Sequence, residues 1–397
     1  MKKIYPVYVI FLSMGMIDAV GPMVSLAKES FSISITMATL LPLLGYLMYG
    51  LLSIPIGLLQ DKKGKVFILR TGLLIAFAGL AIPVFSGMYG HMVIVSGSLA
   101  QFYKILLAIL LLGAGGSILQ VAGNPFIRDV SDKGHYSRNL SMAQSFITVG
   151  SSLGFLLPAV MLSLFGFDWS IIFPVYICIV AVSFIWLNVS GLKENRNIEE
   201  HHASFKSCFS LLKDKYVLVM VFGVFIYCGV EISVSSHVPL LLKGKYMISV
   251  EKLGLLISCS LFYLPILLGR FFGSFIMKVF PPRRLLLITV LVALAGVLMI
   301  FTKSYAMTLT GILLVGLGFA NIFPLLFSLT IEHSPEHTNE LSGLLVSSIV
   351  GGAFIPPLMG LVADNTTITL SFIVPLLCIS YLIFVAIISN TKRYKKI

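Results

Sequence analysis

Long apolar stretches alternate with short polar joints along the whole chain. Each stretch has about the ~20 residues that a helix needs to cross a hydrocarbon core ~30 Å thick. Transmembrane barrel strands would instead need ~10-residue segments of alternating hydropathy, and the sequence contains no such segments. Hydropathy therefore predicts twelve spanning helices, at residues 7–27, 38–60, 66–88, 101–121, 140–165, 169–192, 217–242, 253–279, 285–301, 306–331, 341–363 and 368–389.

The longest polar stretch, Lys193 to Lys215, separates six predicted helices from six more. We predict an N-terminal bundle at 1–192, a cytoplasmic linker at 193–215 and a C-terminal bundle at 216–397. Weak internal symmetry supports a duplication, because Ala-Gly and Val-Gly pairs recur at Gly79 and Gly296 and at Gly150 and Gly351. Such repeats are typical of secondary transporters. The predicted fold class is an all-α membrane protein with two pseudo-symmetric six-helix bundles.

Composition excludes a soluble globular domain. The chain is 58% hydrophobic and only 11% charged, against the ~25% charged residues of an ordinary soluble protein. The net charge of +12 does not indicate nucleic-acid binding, because most of the 28 Lys and Arg residues fall in joints on one side of the membrane. This asymmetry predicts cytoplasmic termini. We expect a multi-pass protein of the inner (cytoplasmic) membrane that contacts the lipid bilayer as a monomer.

The sequence gives no indication of an enzyme. Its five cysteines form no close pair, so neither a disulfide framework nor a metal cluster is expected. No phosphate-cradling glycine loop and no arrangement of nucleophile and base is visible. We therefore expect no cofactor and no bound metal.

Two acidic residues, Asp18 and Glu231, lie deep inside apolar stretches at matching places in the two halves. At ~1.5 Å per residue, each lies on the order of 20 Å from the polar edge of its helix. An ionisable group there is costly and is by default a candidate for proton or ion coupling. The competing interpretation is a neutral or hydrogen-bonded carboxyl that only ties helices together. We predict proton coupling for both residues.

Amide and hydroxyl side chains inside the predicted helices suggest a polar ligand. Gln120 and Asn124 share a helix face because they are four residues apart. Asn124 precedes a proline, which frees a backbone carbonyl that a cavity or a neighbouring helix must satisfy. Amides offer both donors and acceptors, which suit a neutral polyhydroxylated ligand. The candidate substrate-binding residues are Gln120, Asn124, Gln144, Asn321, Tyr46, Tyr227 and Tyr263.

The joint between the second and third helices, Gly57 to Lys65, resembles the cytoplasmic signature of the major facilitator superfamily. Its aspartate can pair with a nearby base and hold the inner ends of the halves together, while its glycines permit a tight turn. A charged turn with no such function is the alternative. The candidate gating residues are Gly57, Asp61, Lys62, Gly64, Lys65, Arg128 and Arg138.

Three further passages resemble the fucose/glucose/galactose:proton symporter family of that superfamily. They are the first-helix segment 18–22, the fourth-helix segment 120–126 and the seventh-helix segment 227–233. Some members place a glutamate where this chain has Gln120, which cannot titrate. Coupling then falls to Asp18, alone or with Glu231. Arg270, in the eighth predicted helix, either pairs with a carboxyl or extends toward the membrane surface.

The resemblance implies a twelve-helix carrier that imports a neutral sugar or sugar derivative by proton symport. The alternative with the same fold is a proton-driven exporter of drugs or metabolites. A membrane sensor is a third possibility, but the chain offers little soluble surface for signalling. The sugar itself and the choice between proton and sodium stay open.

Overall fold

The structure, a computed structural model, describes residues 5–91, 93–130, 136–191, 205–276, 280–334 and 337–390. Within these residues twelve helices are long and apolar enough to cross a membrane, which confirms the predicted number. We number them spans 1 to 12 and call spans 1–6 the first half and spans 7–12 the second half. They run Tyr5–Phe31, Ile35–Gln60, Lys65–Phe85, Leu99–Ile127, Met142–Phe165, Trp169–Val189, Lys215–Tyr246, Leu255–Gly273, Pro282–Ile300, Tyr305–His333, Glu340–Asn365 and Leu370–Asn390.

Several spans are built from more than one helix. Span 1 consists of Tyr5–Asp18 and Val20–Phe31, and span 10 of Tyr305–Phe319 and Ile322–His333. Membrane helices break where a cavity or neighbouring protein can satisfy the freed backbone groups. The break in span 1 follows Asp18, and the break in span 10 includes Asn321.

Span 4 differs from its predicted boundary. Hydropathy ends the apolar stretch at Val121, yet the helix continues to Asp129 through Pro125. The polar residues that end the apolar stretch are buried, and Gly123 packs against Phe11 and Met14 of span 1. The packed neighbours accommodate this segment, so the drop in hydropathy does not mark the end of the helix.

The repeated glycines make equivalent contacts in the two halves. Gly150 of span 5 packs on the backbone of span 1, and Gly351 of span 11 packs on the backbone of span 7. A Cβ at Gly79 would lie 2.8 Å from the Ala108 carbonyl oxygen in span 4, and one at Gly296 would lie 2.6 Å from the Gly311 carbonyl oxygen in span 10. Small residues let these backbones approach closely. The contacts therefore repeat along with the sequence.

Burial separates central from peripheral spans. Spans 1, 4 and 10 are the most buried, and spans 7 and 11 are also mostly buried. Large apolar side chains are exposed on the outer spans, for example Leu74, Ile185, Leu291 and Leu377 on spans 3, 6, 9 and 12. A broad exposed apolar surface marks an interaction site, and on membrane-spanning helices that surface faces lipid.

The two ends of the bundle are named by the residues found there. Span 1 begins at Tyr5 and span 12 ends at Asn390 on the same side of the bundle. We call this side the terminal side and the opposite side the far side. A short helix, Phe205–Leu211, precedes span 7 on the terminal side. Residues 193–204 of the predicted linker lie outside the described residues, so the division at 193–215 stays a prediction.

Candidate functional site

The predicted acid of span 1 lies where that span breaks. Asp18 is the last residue of the helix Tyr5–Asp18. Its carboxylate accepts a hydrogen bond of 2.7 Å from the Tyr46 hydroxyl of span 2 and one of 3.2 Å from the Ser151 hydroxyl of span 5. Both donors are neutral hydroxyls, so they position the carboxyl without neutralising its charge.

The predicted acid of span 7 instead forms an ion pair. Nη2 of Arg270 in span 8 lies 3.2 Å from Oε1 of Glu231. The buried guanidinium also donates to Oγ1 of Thr148 in span 5 at 2.7 Å and to the Ala320 carbonyl at 3.2 Å, at the break in span 10. A buried ion pair persists only with such additional hydrogen bonds. Of the two positions that the sequence left open for Arg270, the structure shows the paired one.

The two acids line one cavity between the halves, which we call the central cavity. Its volume is about 400 Å³ including the space open to solvent. The predicted residues on its wall are Asp18, Glu231, Gln120, Gln144 and Tyr46. Arg270, Cys228, Phe323 and three isoleucines complete the wall. The structure thus brings five of the predicted coupling and substrate-binding residues together.

Two amides on this wall lack a hydrogen-bond partner among the described residues. They are Oε1 of Gln120 and Nε2 of Gln144, and both side chains are buried. Leaving a buried donor or acceptor unpaired costs ≈ 1–3 kcal/mol. One free acceptor and one free donor beside a carboxyl match a ligand whose hydroxyls both donate and accept.

Other predicted substrate residues lie off the wall of the central cavity. The Tyr227 hydroxyl donates to the Phe319 carbonyl at 2.9 Å, and the Tyr263 hydroxyl donates to Ser235 at 3.3 Å. Asn321 donates to the Gly269 carbonyl at 2.9 Å. These three residues hold helices together in this structure. Asn124, one turn beyond Gln120, is buried with neither amide atom paired among the described residues.

Two residues of the site were absent from the prediction. Thr148 and Ser151 of span 5 contact Arg270 and Asp18. Together with Gln144 they occupy positions i, i+4 and i+7 of one helix, which places all three on the same face. This spacing was available in the sequence, but only Gln144 was singled out.

The predicted gating joint is partly described. Gly64 ends the helix of span 2 with φ of +88°, a conformation that favours glycine. Lys65 pairs with Asp129 at the end of the helix of span 4, at 2.6 Å, and Lys62 is exposed. The side chains of Asp61, Arg128 and Arg138 lie outside the described part of the chain, so the predicted latch among them stays a prediction.

Polar contacts join the two halves at the far side. Asp364 of span 11 accepts hydrogen bonds from the backbone amides of Ile35 and Thr36 at 3.3 and 2.9 Å, and from the Thr36 hydroxyl at 2.7 Å. Lys243 of span 7 forms an ion pair with Glu29 of span 1. The structure is therefore closed on the far side.

Twelve spans in two equivalent halves around a polar cavity are the architecture of a secondary transporter. Among the described residues no three His, Cys, Asp or Glu side chains lie together as a metal site would require. The family model of the Major Facilitator Superfamily matches residues 7–355 and 220–396. The chain belongs to this superfamily, and it is a transporter rather than an enzyme.

The chain is similar to several characterised proteins. It is 25% identical over 372 residues to a glucose/galactose transporter of Brucella abortus, covering 91% of this chain and 88% of that one. It is 25% identical over 405 residues to an L-fucose-proton symporter of Haemophilus influenzae, covering 91% and 90%. These relatives confirm the resemblance to the fucose/glucose/galactose:proton symporter family.

The fold is similar to that of a solved fucose:proton symporter of Escherichia coli. The TM-score is 0.72 at 19% sequence identity, and the match covers 99% of this chain and 100% of the other. At that identity the likeness shows the fold alone, and it confirms the predicted two-bundle architecture.

Proposed function

We propose that the protein imports a neutral sugar or sugar derivative together with a proton, by alternating access to the central cavity. One observation carries the proposal, which is that the Asp18 carboxyl shares a cavity wall with two buried amides. Among the described residues the carboxyl accepts hydrogen bonds from two hydroxyls, and one atom of each amide has no partner. The names of the two sequence relatives point to the same cargo, since one is a glucose/galactose transporter and the other an L-fucose-proton symporter.

The substrate occupies the central cavity in this proposal. Gln120 accepts from a sugar hydroxyl and Gln144 donates to one, which satisfies two atoms that have no partner within the described part of the chain. Phe323 supplies a flat apolar surface for the face of the ring. Tyr227, Tyr263, Asn321 and Asn124 stay candidates for contacts that form when the halves rearrange.

Proton coupling follows from the charges on the cavity wall. With both acids ionised, Asp18, Glu231 and Arg270 sum to a net charge of −1. Arg270 neutralises Glu231, whereas the partners of Asp18 are hydroxyls. A proton on Asp18 therefore makes the wall neutral, and a neutral wall is the less costly one to enclose in hydrocarbon.

The cycle then runs in six steps. A proton reaches Asp18 from the outside, sugar binds, the far side closes as in this structure, and sugar leaves toward the cytoplasm. Asp18 then loses its proton before the unloaded carrier resets. Glu231 acts with Asp18 in this scheme by fixing Arg270, so that the charge of the wall depends on Asp18.

Orientation and environment complete the proposal. We place the terminal side, and with it both termini, in the cytoplasm of a cell whose inner membrane holds the protein, and we expect a monomer. The joint from Gly57 to Lys65 latches the cytoplasmic ends of the halves while the site faces outward. The orientation follows from the distribution of Lys and Arg along the chain, and the latch follows from the resemblance of the joint to the superfamily signature.

Uptake by reconstituted vesicles tests the function. Purified protein is supplied with D-glucose, D-galactose, D-mannose and L-fucose, each with an imposed proton gradient, a sodium gradient or none. We expect at least one sugar to accumulate above its external concentration only with the proton gradient. Uptake no faster than in protein-free vesicles for every sugar would contradict the proposal.

The exporter hypothesis is separated by direction and cargo. An importer restores growth of a transport-deficient strain on its sugar, whereas an exporter changes the resistance of the strain to toxic compounds. We expect restored growth and unchanged resistance.

A further inference from the structure

A second cavity, of about 420 Å³ including the space open to solvent, lies between the central cavity and the terminal side. Spans 2, 4 and 11 and the helix Phe205–Leu211 line it, and its wall includes Gln60, Pro125, Cys208, Glu340 and Ser342. We propose that this cavity, which we call the release cavity, is a second binding subsite for the same polyhydroxylated ligand. The inference rests on the proposed import of sugar and extends it to the route of release.

The wall of the release cavity carries polar groups suited to hydroxyls. Oε1 of Gln60 has no hydrogen-bond partner among the described residues, and the side chain is only 7% exposed. Glu340 and Ser342 at the start of span 11 are 8% and 7% exposed. Together they offer an amide, a carboxylate and a hydroxyl, so that both donors and acceptors are present.

Asn124 lies on span 4 close in the chain to residues that line each of the two cavities. Gln120, on its N-terminal side, lines the central cavity, whereas Val121 and Pro125 line the release cavity. Asn124 is 1% exposed, and both of its amide atoms are unpaired among the described residues. Gln120 and Asn124 are about 6 Å apart along the helix axis. Unpaired amides therefore continue from one cavity toward the other, as a route for hydroxyl-bearing cargo requires.

Other ligand classes fit the release cavity less well. A hard cation takes about six or more oxygen ligands, whereas Glu340 is the one carboxylate on the described wall. An apolar ligand would leave Oε1 of Gln60 buried without a hydrogen bond, which is costly. It would also bring no donor to Glu340, whose Oε1 lies 3.8 Å from Nδ1 of His337. Two sugar hydroxyls can donate, one to Glu340 and one to Oε1 of Gln60.

Two native cysteines report on the two cavities separately. Cys228 lies on the wall of the central cavity and Cys208 on the wall of the release cavity. The first experiment uses two variants that each keep one of these thiols, with the other four of the five cysteines replaced by serine. Alkylation by N-ethylmaleimide is timed with D-glucose, D-galactose and L-fucose. We expect a sugar that is transported to slow both reactions.

Gln60→Leu distinguishes direct binding from a change of conformation. In the Cys208 variant the substitution should raise the half-protecting sugar concentration at least tenfold. In the Cys228 variant the same substitution should leave protection unchanged. Unaltered protection of Cys208 after Gln60→Leu would overturn the inference.

The second measurement needs no labelling, and it decides whether the release cavity binds sugar even if Cys208 does not react. Apparent KM is measured for sugar entering and leaving vesicles of known orientation. Gln60→Leu should raise KM at least tenfold on the terminal side only. Gln144→Leu, the matched amide of the central cavity, should raise KM on both sides. Equal KM values for Gln60→Leu and the unmodified protein on the terminal side would overturn the inference.

The outcomes separate the two proposals. Protection of Cys228 together with an unchanged terminal-side KM leaves sugar transport standing and removes the release subsite. Absence of protection at both cysteines, with no sugar transported, removes the proposed function and the subsite with it. Correct folding of each variant is checked by its elution as a single species and by its thermal unfolding temperature.

Discussion

Nη1 of Arg270 in span 8 lies 2.7 Å from Oγ1 of Thr148 in span 5 and donates a hydrogen bond to it. The two residues belong to different halves. Because Nη2 of the same guanidinium binds Glu231, one side chain connects an ion pair of the second half to a helix of the first. Movement of the halves at this point must therefore break a bond to a charged group.

Thr148→Val should show how much this bond contributes. A hydrogen bond to a charged group contributes ≈ 1.5–3 kcal/mol. We therefore expect the free energy of unfolding of the conformation described here to fall by about that amount. The transport rate should change as well, since the bond joins the halves. Thr148→Ser keeps the hydroxyl and serves as the control. Thermal unfolding and initial uptake rates check the prediction, and identical behaviour of the two variants would contradict it.

Because Glu231 and Arg270 form an ion pair, the stability losses caused by replacing each of them should be strongly non-additive. Removing one partner of a buried pair costs 3–5 kcal/mol because a charge is left uncompensated. We expect Glu231→Gln and Arg270→Gln each to lower the unfolding temperature sharply and the double variant to recover most of the loss. A double-mutant cycle on thermal stability measures the coupling. Additive losses would show that the two side chains do not act as a pair.

The fold followed from the sequence because hydropathy and segment length determine which stretches span a membrane. The repeated Gly150 and Gly351 indicate a duplication, and the structure shows equivalent backbone contacts at both. The end of span 4 was missed because its polar residues are buried in a segment where Gly123 packs against Phe11 and Met14 of span 1. That compensation arises from tertiary packing, which a local average of hydropathy cannot represent.

The site was harder to predict than the fold. Asp18 and Glu231 stood out because charges are rare in apolar segments, and the structure places both on one cavity. Tyr227 and Tyr263 were chosen by residue type, yet their hydroxyls bind Phe319 and Ser235. Which way a side chain points depends on the rotation of its helix about its own axis. Packing between helices sets that rotation, so residue type alone does not give it.

The contribution of Asp214, at the start of span 7, to the free energy of unfolding should depend on pH. Asp214 caps this helix by accepting from the Tyr216 and Val217 amides, and it contacts His333 at 3.0 Å. Burial opposes its ionisation, but these hydrogen bonds outweigh burial and lower the pKa of Asp214 below its ordinary value of 3.8. Its contribution is therefore complete above pH 3.8 and disappears as pH falls through the lower folded-state pKa.

Asp214→Ala should accordingly lower the free energy of unfolding by ≈ 0.5–2 kcal/mol at pH 7, the usual contribution of an N-cap. Asp214→Ser retains a capping oxygen and is expected to lose less. Unfolding temperatures measured from pH 7 downward check the sign, because the difference between the alanine variant and the unmodified protein should shrink below pH 3.8. A difference that grows toward acid would contradict the assignment.

Removal of the Asp364 carboxylate should shift the population toward conformations that are open on the far side. Its carboxylate accepts three hydrogen bonds from Ile35 and Thr36 across the far side. Losing them in Asp364→Ala should favour far-side opening by ≈ 1–3 kcal/mol, or 5- to 150-fold in population. Asn365→Ala is the matched control, since Asn365 bonds only the Leu361 carbonyl of its own helix among the described residues.

Distances between spin labels measure that shift. Exposed far-side positions Tyr89 and Lys303 lie in different halves and accept cysteine substitutions for labelling, in a background without native cysteines. We expect a longer mean distance for Asp364→Ala and an unchanged one for Asn365→Ala. Equal distance distributions in the two variants would show that Asp364 does not hold the far side closed.

Asp18→Asn tests proton coupling most directly. Asparagine keeps a side chain of the same shape beside Tyr46 and Ser151, but it cannot gain or lose a proton. The wall of the central cavity is then neutral at every stage, so we expect sugar to exchange across the membrane while accumulation against a gradient is lost. Counterflow of labelled sugar measures exchange, and uptake with an imposed proton gradient measures accumulation.

Two controls make the Asp18→Asn result specific. Tyr46→Phe removes one hydroxyl bond to the carboxyl and leaves a titratable group, so it should weaken transport without abolishing accumulation. Exchange should become independent of pH in Asp18→Asn because no proton is needed for sugar to bind. Accumulation equal to that of the unmodified protein would assign coupling to another group, and Glu231 would then be the first residue to examine.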